Sequence, residues 1–113
     1  MVSRSKFFVK QHPRIKNEDL SNLPEKLQQL YLVIIQILSV DPYRLAGKFR
    51  SHELKRELSG WRSIDSIQYL GISYRLVYRI DDSPKNMRVD IASFDIHDSA
   101  YDKANQRVYR ERF

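Results

Sequence analysis

The 113-residue chain contains no cysteine, and this removes several functions from consideration. Without thiols it can form no disulfide, thiol nucleophile or cysteine zinc site, and the absence suits a reducing compartment. Its three histidines show no metal-ligand spacing. We therefore predict that the protein uses no metal and no cofactor.

Long hydrophobic runs are also missing. No stretch of about 18 apolar residues is present, as a membrane-spanning helix would need. Residues 1–6 lack the apolar core of a signal peptide. We expect a cytoplasmic protein with no membrane partner.

Acidic residues are fewer than basic ones, 14 against 20, which gives a formal net charge of +6. Such a balance favours a polyanion or an acidic protein as partner, although a solvated basic surface has the same composition. The length suits one domain, residues 1–113, with a single core.

Two neighbouring strands are predicted in the second half of the chain. Residues 72–80 alternate, which predicts a half-buried strand with Arg75 and Arg79 on its polar face. Turn-forming residues 81–86 and the apolar run 89–94 follow. The two runs therefore predict an antiparallel hairpin.

The strand before this hairpin breaks the alternation. It begins near Trp61, but Ile64 and Ile67 would point to opposite faces of a regular strand. This predicts a β-bulge or a register shift. A further β-rich run at residues 6–11 ends before Pro13 and predicts the first strand.

One long helix and two shorter helical segments are expected. Pro24 and Glu25 open the long helix, and the pair Asp41-Pro42 ends it. A helical turn is predicted at residues 17–20, and a short basic helix after Tyr101. The apolar residues that recur at helical spacing and predict the main core helix are Leu27, Leu30, Tyr31, Ile34, Ile37 and Leu38.

Together these elements predict an α+β fold with a small antiparallel sheet of four strands that contains a meander. The amino-terminal helices cover one face of the sheet, and a short helix lies at the carboxy terminus. We expect the other face to stay open and basic. The pattern leaves residues 42–59 open between a short helix and a loop.

Several side chains have the chemistry that RNA cleavage without a metal requires. One group must take the proton of the 2′-hydroxyl, another must protonate the 5′-oxygen, and cations must bind the phosphate. His97 at a strand end and His52 in the basic middle segment can carry protons near neutral pH. Arg75 can bind the phosphate, and Tyr101 can stack on a base or orient the phosphate.

Further basic residues are candidates for contacts with the RNA backbone. They are Arg62, Arg79, Lys55 and Arg56.

Each main candidate also has a purely structural interpretation. A lone histidine is more often a surface or capping residue than a catalyst. Arg75 can instead pair with Asp65 or Asp95 across the sheet, and Tyr101 can anchor the last helix. The residue pattern leaves these alternatives open.

Three segments follow one another in a characteristic order: Leu58-Ser59-Gly60-Trp61-Arg62-Ser63-Ile64, Tyr74-Arg75-Leu76-Val77-Tyr78 and His97-Asp98-Ser99-Ala100-Tyr101. This order resembles the RelE/ParE superfamily of type II toxin–antitoxin toxins. The His-Asp-x-x-Tyr ending and the segment His52-x-Leu54 look most like the RelE/StbE and YafQ-like messenger RNA interferases. With the amino-terminal strand and the main helix, the resemblance covers nearly the whole chain.

The resemblance implies a RelE-like fold and a small toxin that cuts messenger RNA, often on the ribosome, and that a cognate antitoxin holds inactive. Arg75 matches the family's phosphate-binding arginine, and His97 matches the catalytic histidine of YafQ-like members. Tyr101 matches the terminal aromatic residue, and His52 matches a further histidine of those members.

The chain departs from RelE on the strand before Arg75. Ser66 and Gln68 stand where RelE has two lysines, so the resemblance leaves the general base open.

Two other functions compete with the nuclease. A ParE-like toxin would bind DNA gyrase without catalytic residues of its own, and a basic module would bind RNA or DNA without cleaving it. The joint presence of His52, Arg75, His97 and Tyr101 favours the nuclease. A cognate antitoxin would be acidic and would bind through a segment that folds on binding.

Overall fold

The chain, seen in a computed structural model, is described over residues 6–109, apart from the side chains at positions 97, 98 and 109. Within this range its five strands form one sheet in the order β1-β5-β4-β3-β2. In chain order the elements are β1 (Phe8–Gln11), a π-helical turn (Ile15–Asp19), α1 (Glu25–Val40), β2 (Ser51–Glu53), a 3₁₀ turn (Arg56–Leu58), β3 (Arg62–Tyr69), β4 (Ile72–Asp81), β5 (Arg88–Ile96) and α2 (His97–Tyr109).

Helix α1 covers one face of the sheet, as the sequence predicts. It begins after Pro24 and ends before Asp41. Its buried side chains recur at helical spacing, and they share one core with the inward-facing residues of the strands. This core contains Leu27, Tyr31, Ile34 and Leu38 of α1 with Ile64, Ile67, Tyr74, Leu76, Tyr78, Val89, Ile91 and Phe94 of the sheet.

The sheet is mixed and has five strands, so the prediction of four antiparallel strands is wrong in both respects. β1 runs parallel to β5, while the other neighbouring strands are antiparallel. A parallel pair needs a long crossover connection, which the chain between β1 and β5 supplies. The additional strand β2 has three residues, Ser-His-Glu, with no apolar alternation, so its pattern does not reveal it.

The broken alternation in β3 is a β-bulge, as predicted. Two residues of β3, Asp65 and Ser66, lie opposite the single residue Arg75 of β4. This extra residue returns Ile67 to the face of Ile64, and both isoleucines are fully buried beneath α1. The hydrophobic core therefore stabilises the bulge.

Helix α2 covers part of the face opposite α1, which is therefore less open than the sequence predicts. The helix begins at His97, directly after β5, and not after Tyr101. Ala100 and Ala104 are fully buried beside Val77 of β4. Small side chains allow the helix to approach the strands closely, but they give a weak hydrophobic pattern, which explains why the first turn of α2 is hard to predict.

A buried ion pair holds α2 against the sheet. Asp19, at the end of the π-helical turn, accepts hydrogen bonds from both terminal nitrogens of Arg107 at 2.9 and 2.7 Å. It also accepts one from the backbone N–H of Phe94 at 2.8 Å, and Arg107 donates to the carbonyl of Ala92 at 2.9 Å. The two side chains, 0% and 2% exposed, thus join the turn, β5 and α2.

The substitution Asp19→Asn should lower the free energy of unfolding by about 3 kcal/mol, because it leaves the Arg107 guanidinium buried without a counter-ion. Urea unfolding followed by circular dichroism measures the loss. The control is Glu18→Gln, which breaks an exposed ion pair with Arg14 and should barely change the urea midpoint. Equal losses in the two variants would contradict a special role for the buried pair.

Candidate functional site

Four side chains from four separate elements meet on the face of the sheet opposite α1. His52 lies on β2, Asp65 in the bulge of β3, Arg75 on β4 and Tyr101 on α2. We call these four residues the Arg75 cluster. His97 is the first residue of α2, and its side chain lies outside the described part of the structure.

Arg75 is the centre of the cluster. Its Nη1 atom donates a hydrogen bond to the Tyr101 hydroxyl at 2.6 Å and forms an ion pair with Oδ2 of Asp65 at 2.7 Å. Its guanidinium carbon lies 5.2 Å from the centroid of the Tyr101 ring, within cation–π range. The side chain is 18% exposed, and its buried Nε atom has no hydrogen-bond partner among the described residues. Asp65 and Tyr101 thus hold the guanidinium in a partly exposed position.

Asp65 connects Arg75 to His52. Its Oδ2 atom contacts both Nε2 of His52 and Nη1 of Arg75, and its Oδ1 atom accepts a hydrogen bond from the Ser63 hydroxyl at 2.6 Å. Burial raises the pKa of Asp65, but the hydrogen bonds from Ser63 and His52 and the charge of Arg75 outweigh burial and hold that pKa below its ordinary value. Asp65 is therefore the anion of the cluster at neutral pH.

His52 lies at the outer side of the cluster. It pairs with Ser63 across β2 and β3, and about half of its side chain is exposed. Its Nε2 atom contacts Asp65, and its Nδ1 atom lies 3.3 Å from the backbone oxygen of Glu53. The imidazole is thus oriented by a carboxylate and accessible to a ligand.

A shallow groove of about 250 Å³ opens beside the cluster, between α2 and the 3₁₀ turn. Tyr101, Lys55 and Asn105 are among its lining residues. The Oδ1 atom of Asn105 is buried and, within the described part of the chain, has no hydrogen-bond partner. The groove therefore offers the ring of Tyr101, a polar amide and the oppositely charged Lys55 and Glu57.

Arg79 shares the face of Arg75 but lies outside the cluster. It is four residues further along β4, about 13 Å away at the usual rise of a strand. Its guanidinium carbon lies 4.7 Å from the centroid of the Trp61 ring, and it forms an ion pair with Asp90 at 2.7 Å. Arg79 is thus engaged in contacts of its own.

Arg62 lies on the other side of the sheet. It pairs in register with Tyr78, which belongs to the core beneath α1, and its guanidinium donates to the Ser51 hydroxyl at 3.1 Å. Arg56 is exposed on the 3₁₀ turn and has a φ of 58°. Of the site residues predicted from the sequence, the structure therefore brings His52, Arg75 and Tyr101 together.

The sequence offers two acids as partners for Arg75, and the structure selects Asp65. Asp95 is the register partner of Arg75, but its carboxylate instead accepts a bond from Nζ of Lys103 at 2.6 Å. The sequence offers Asp65 as a possible counter-ion of Arg75, at roughly the position of another histidine in YafQ-like toxins, and it was not among the predicted site residues. The broken alternation between Ile64 and Ile67 is the signal that could have placed it opposite Arg75.

The described residues 6–109 contain neither a metal-binding cluster nor a membrane-spanning helix. Among them, no group of three or more histidine, aspartate or glutamate side chains is arranged to hold a metal ion. No helix in that range is long and apolar enough to cross a membrane.

The sequence matches no protein-family model and no curated protein. Among solved structures, the chain is similar to one in the toxin–antitoxin complex RelBE2 from Mycobacterium tuberculosis, with 29% identity and a TM-score of 0.61. The match covers 81% of this chain and 99% of that one.

Two other solved structures have a similar fold at lower identity. A mutant of the E. coli toxin RelE in the free state has a TM-score of 0.63 and 17% identity, with 91% of this chain and 98% of that chain covered. The YoeB/ParE toxin from Agrobacterium tumefaciens has a TM-score of 0.62 and 17% identity, with 80% and 99% covered.

Removal of the Asp65 charge should change how stability depends on pH. Because the folded-state pKa of Asp65 is lowered, its ionised form stabilises the fold at neutral pH. This contribution is lost as the pH falls below the ordinary value of 3.8 and through the lowered pKa. The variant Asp65→Asn should therefore have a lower urea midpoint than the wild type near pH 7. The difference between the two midpoints should be smaller at about pH 3.

The matched control is Asp102→Asn, which removes an exposed charge on α2 and should cause no such difference. A difference for Asp65→Asn that keeps the same size at both pH values would contradict the expected stabilisation.

Proposed function

Because the chain has the fold of the RelE/ParE superfamily of toxins, we propose that it is the toxin of a type II toxin–antitoxin module and an endoribonuclease. Its substrate is messenger RNA, on the ribosome. The reaction is acid–base catalysis without a metal or cofactor, in which a 2′-hydroxyl attacks the neighbouring phosphate.

The observation that carries the proposal is the arrangement around Arg75. A partly exposed guanidinium lies against a tyrosine hydroxyl at 2.6 Å, in a cluster with an exposed histidine. Phosphate chemistry needs an oriented cation that meets the charge developing on the phosphate oxygens. A protein that only binds DNA gyrase has no need for this set of groups.

Arg75 and Tyr101 act on the phosphate. Nη1 and Nη2 of an arginine can pair with two phosphate oxygens and stabilise their negative charge in the transition state. The Tyr101 hydroxyl accepts a bond from Arg75, so its own proton is available for a phosphate oxygen. The Tyr101 ring also borders the groove, where a base can stack on it.

His97 and His52 carry the protons in the proposal. Histidine can take a proton from the 2′-hydroxyl or give one to the 5′-oxygen near neutral pH. His52 is exposed and lies beside the site where the phosphate would bind. His97 begins α2, the helix that carries Tyr101, and the proposal gives it the second proton transfer.

Basic residues around the cluster bind the rest of the RNA backbone. Lys55 lines the groove beside Tyr101, and Arg56 is exposed on the same 3₁₀ turn. Arg79 extends the basic surface along β4. Arg62 lies across the sheet, so an RNA that reaches it must pass around the β2 edge.

The protein partner in the proposal is a cognate antitoxin with an acidic segment, acting in the cytoplasm. The similar chain of the RelBE2 structure belongs to a toxin–antitoxin complex, and the net charge of +6 suits an acidic partner.

A gene next to this one should encode a small acidic protein. Its affinity for the toxin, measured by calorimetry, should fall as salt is raised. An affinity that does not depend on salt would contradict the electrostatic basis of the pairing.

The first test of the nuclease is messenger RNA cleavage in a translating extract, mapped by primer extension. The wild type should produce discrete cuts, and His97→Ala and Arg75→Ala should each reduce them by a factor of about 100 or more, because proton transfer or charge stabilisation is lost. Circular dichroism checks that both variants remain folded.

The control is Lys85→Ala, which removes a cation from the exposed turn between β4 and β5 and should leave the cuts unchanged. If the wild type leaves messenger RNA intact and growth arrest instead follows gyrase inhibition, the result would favour a ParE-like toxin. RNA binding that falls with salt but leads to no cuts would favour a binding module.

A further inference from the structure

The Oδ2 atom of Asp65 lies between two groups that can bind an anion. It forms an ion pair with Nη1 of Arg75 at 2.7 Å and also contacts Nε2 of His52. A phosphate oxygen at this site would use the same two donors, since carboxylates and phosphates pair with guanidinium in a similar geometry. Phosphate and carboxylate therefore compete for one position.

The contact between Asp65 and Arg75 can be replaced by a contact between Arg75 and another anion. The Asp65 side chain is 31% exposed, and ion pairs that water can reach are weak. The hydroxyl of Ser63 binds the other oxygen, Oδ1, at 2.6 Å, so the carboxylate keeps a partner when Oδ2 leaves Arg75. The buried pair between Asp19 and Arg107, at most 2% exposed, has no such freedom.

We propose that Asp65 is an internal counter-ion that occupies the phosphate-binding position of the Arg75 cluster and is displaced when RNA binds. This inference rests on the proposed function for the identity of the polyanion. It makes Asp65 a specificity-determining residue. A small anion gains little by replacing one carboxylate, whereas a polynucleotide also contacts Lys55 and Arg56 and releases counter-ions along its length.

The test compares the wild type with Asp65→Asn in binding a short single-stranded 2′-O-methyl RNA, measured by fluorescence anisotropy. The amide removes the charge at nearly constant shape, so the variant should bind about fivefold more tightly. In an Arg75→Ala background the same substitution should have a much smaller effect, because only His52 is left of the two donors for which carboxylate and phosphate compete. Asp65→Ser, which removes the charge with a smaller side chain, should change affinity in the same direction.

The matched control is Asp95→Asn. Asp95 is the register partner of Arg75 on the same sheet face but pairs with Lys103, so its removal should change the affinity much less. Equal tightening by the two variants would reveal a general charge effect and overturn the proposal. Unchanged or weaker binding by Asp65→Asn and Asp65→Ser would overturn it as well.

The outcome is independent of cleavage, because 2′-O-methyl RNA lacks the attacking hydroxyl. If Asp65→Asn tightens binding but the wild type never cuts messenger RNA, this inference would stand and the nuclease would be rejected. If the wild type cuts messenger RNA but Asp65→Asn does not change the affinity for RNA, the nuclease would stand and this inference would be rejected. A wild type that does not bind the free RNA would overturn this inference, and cleavage in the translating extract would still decide the nuclease.

Discussion

The buried ion pair between Asp19 and Arg107 is the interaction on which the arrangement of the molecule depends. It joins the π-helical turn, β5 and α2 through hydrogen bonds to both side chains and to the backbone. Helix α2 offers the sheet mainly small side chains, which bury little apolar area. The charge pair therefore fixes the position of α2, and with it the position of Tyr101 against Arg75.

The chain contains two kinds of aspartate–arginine pair, and their burial separates their roles. Asp19 and Arg107 are sealed from water, so loss of one partner leaves an uncompensated charge in the interior. Asp65 and Arg75 are partly exposed, so water or a ligand can replace either partner. The first pair stabilises the fold, and the second belongs to the candidate site.

The candidate site lies where four elements converge. Its residues His52, Asp65, Arg75 and Tyr101 are far apart in the chain and come from β2, β3, β4 and α2. The bulge in β3 and the placement of α2 over the sheet are the features that bring them within hydrogen-bonding distance. This arrangement, on a RelE/ParE toxin fold, is the basis of the RNA cleavage that we propose.

Several elements could be predicted from the sequence because their patterns involve only neighbouring residues. Alternation in β4, helical spacing in α1 and the broken parity at Ile64 and Ile67 each depend on a few neighbouring residues and on burial of one face. Arg75 and Tyr101 could be named for the same reason, and a resemblance in motif order identified the toxin fold.

Tertiary structure alone decided the parallel pairing of β1 with β5, the existence of β2, the cover of α2 over the second face and the place of Asp65. Strand pairing and ion pairs join residues that are distant in the chain, so the residue pattern of one segment does not reveal its partner.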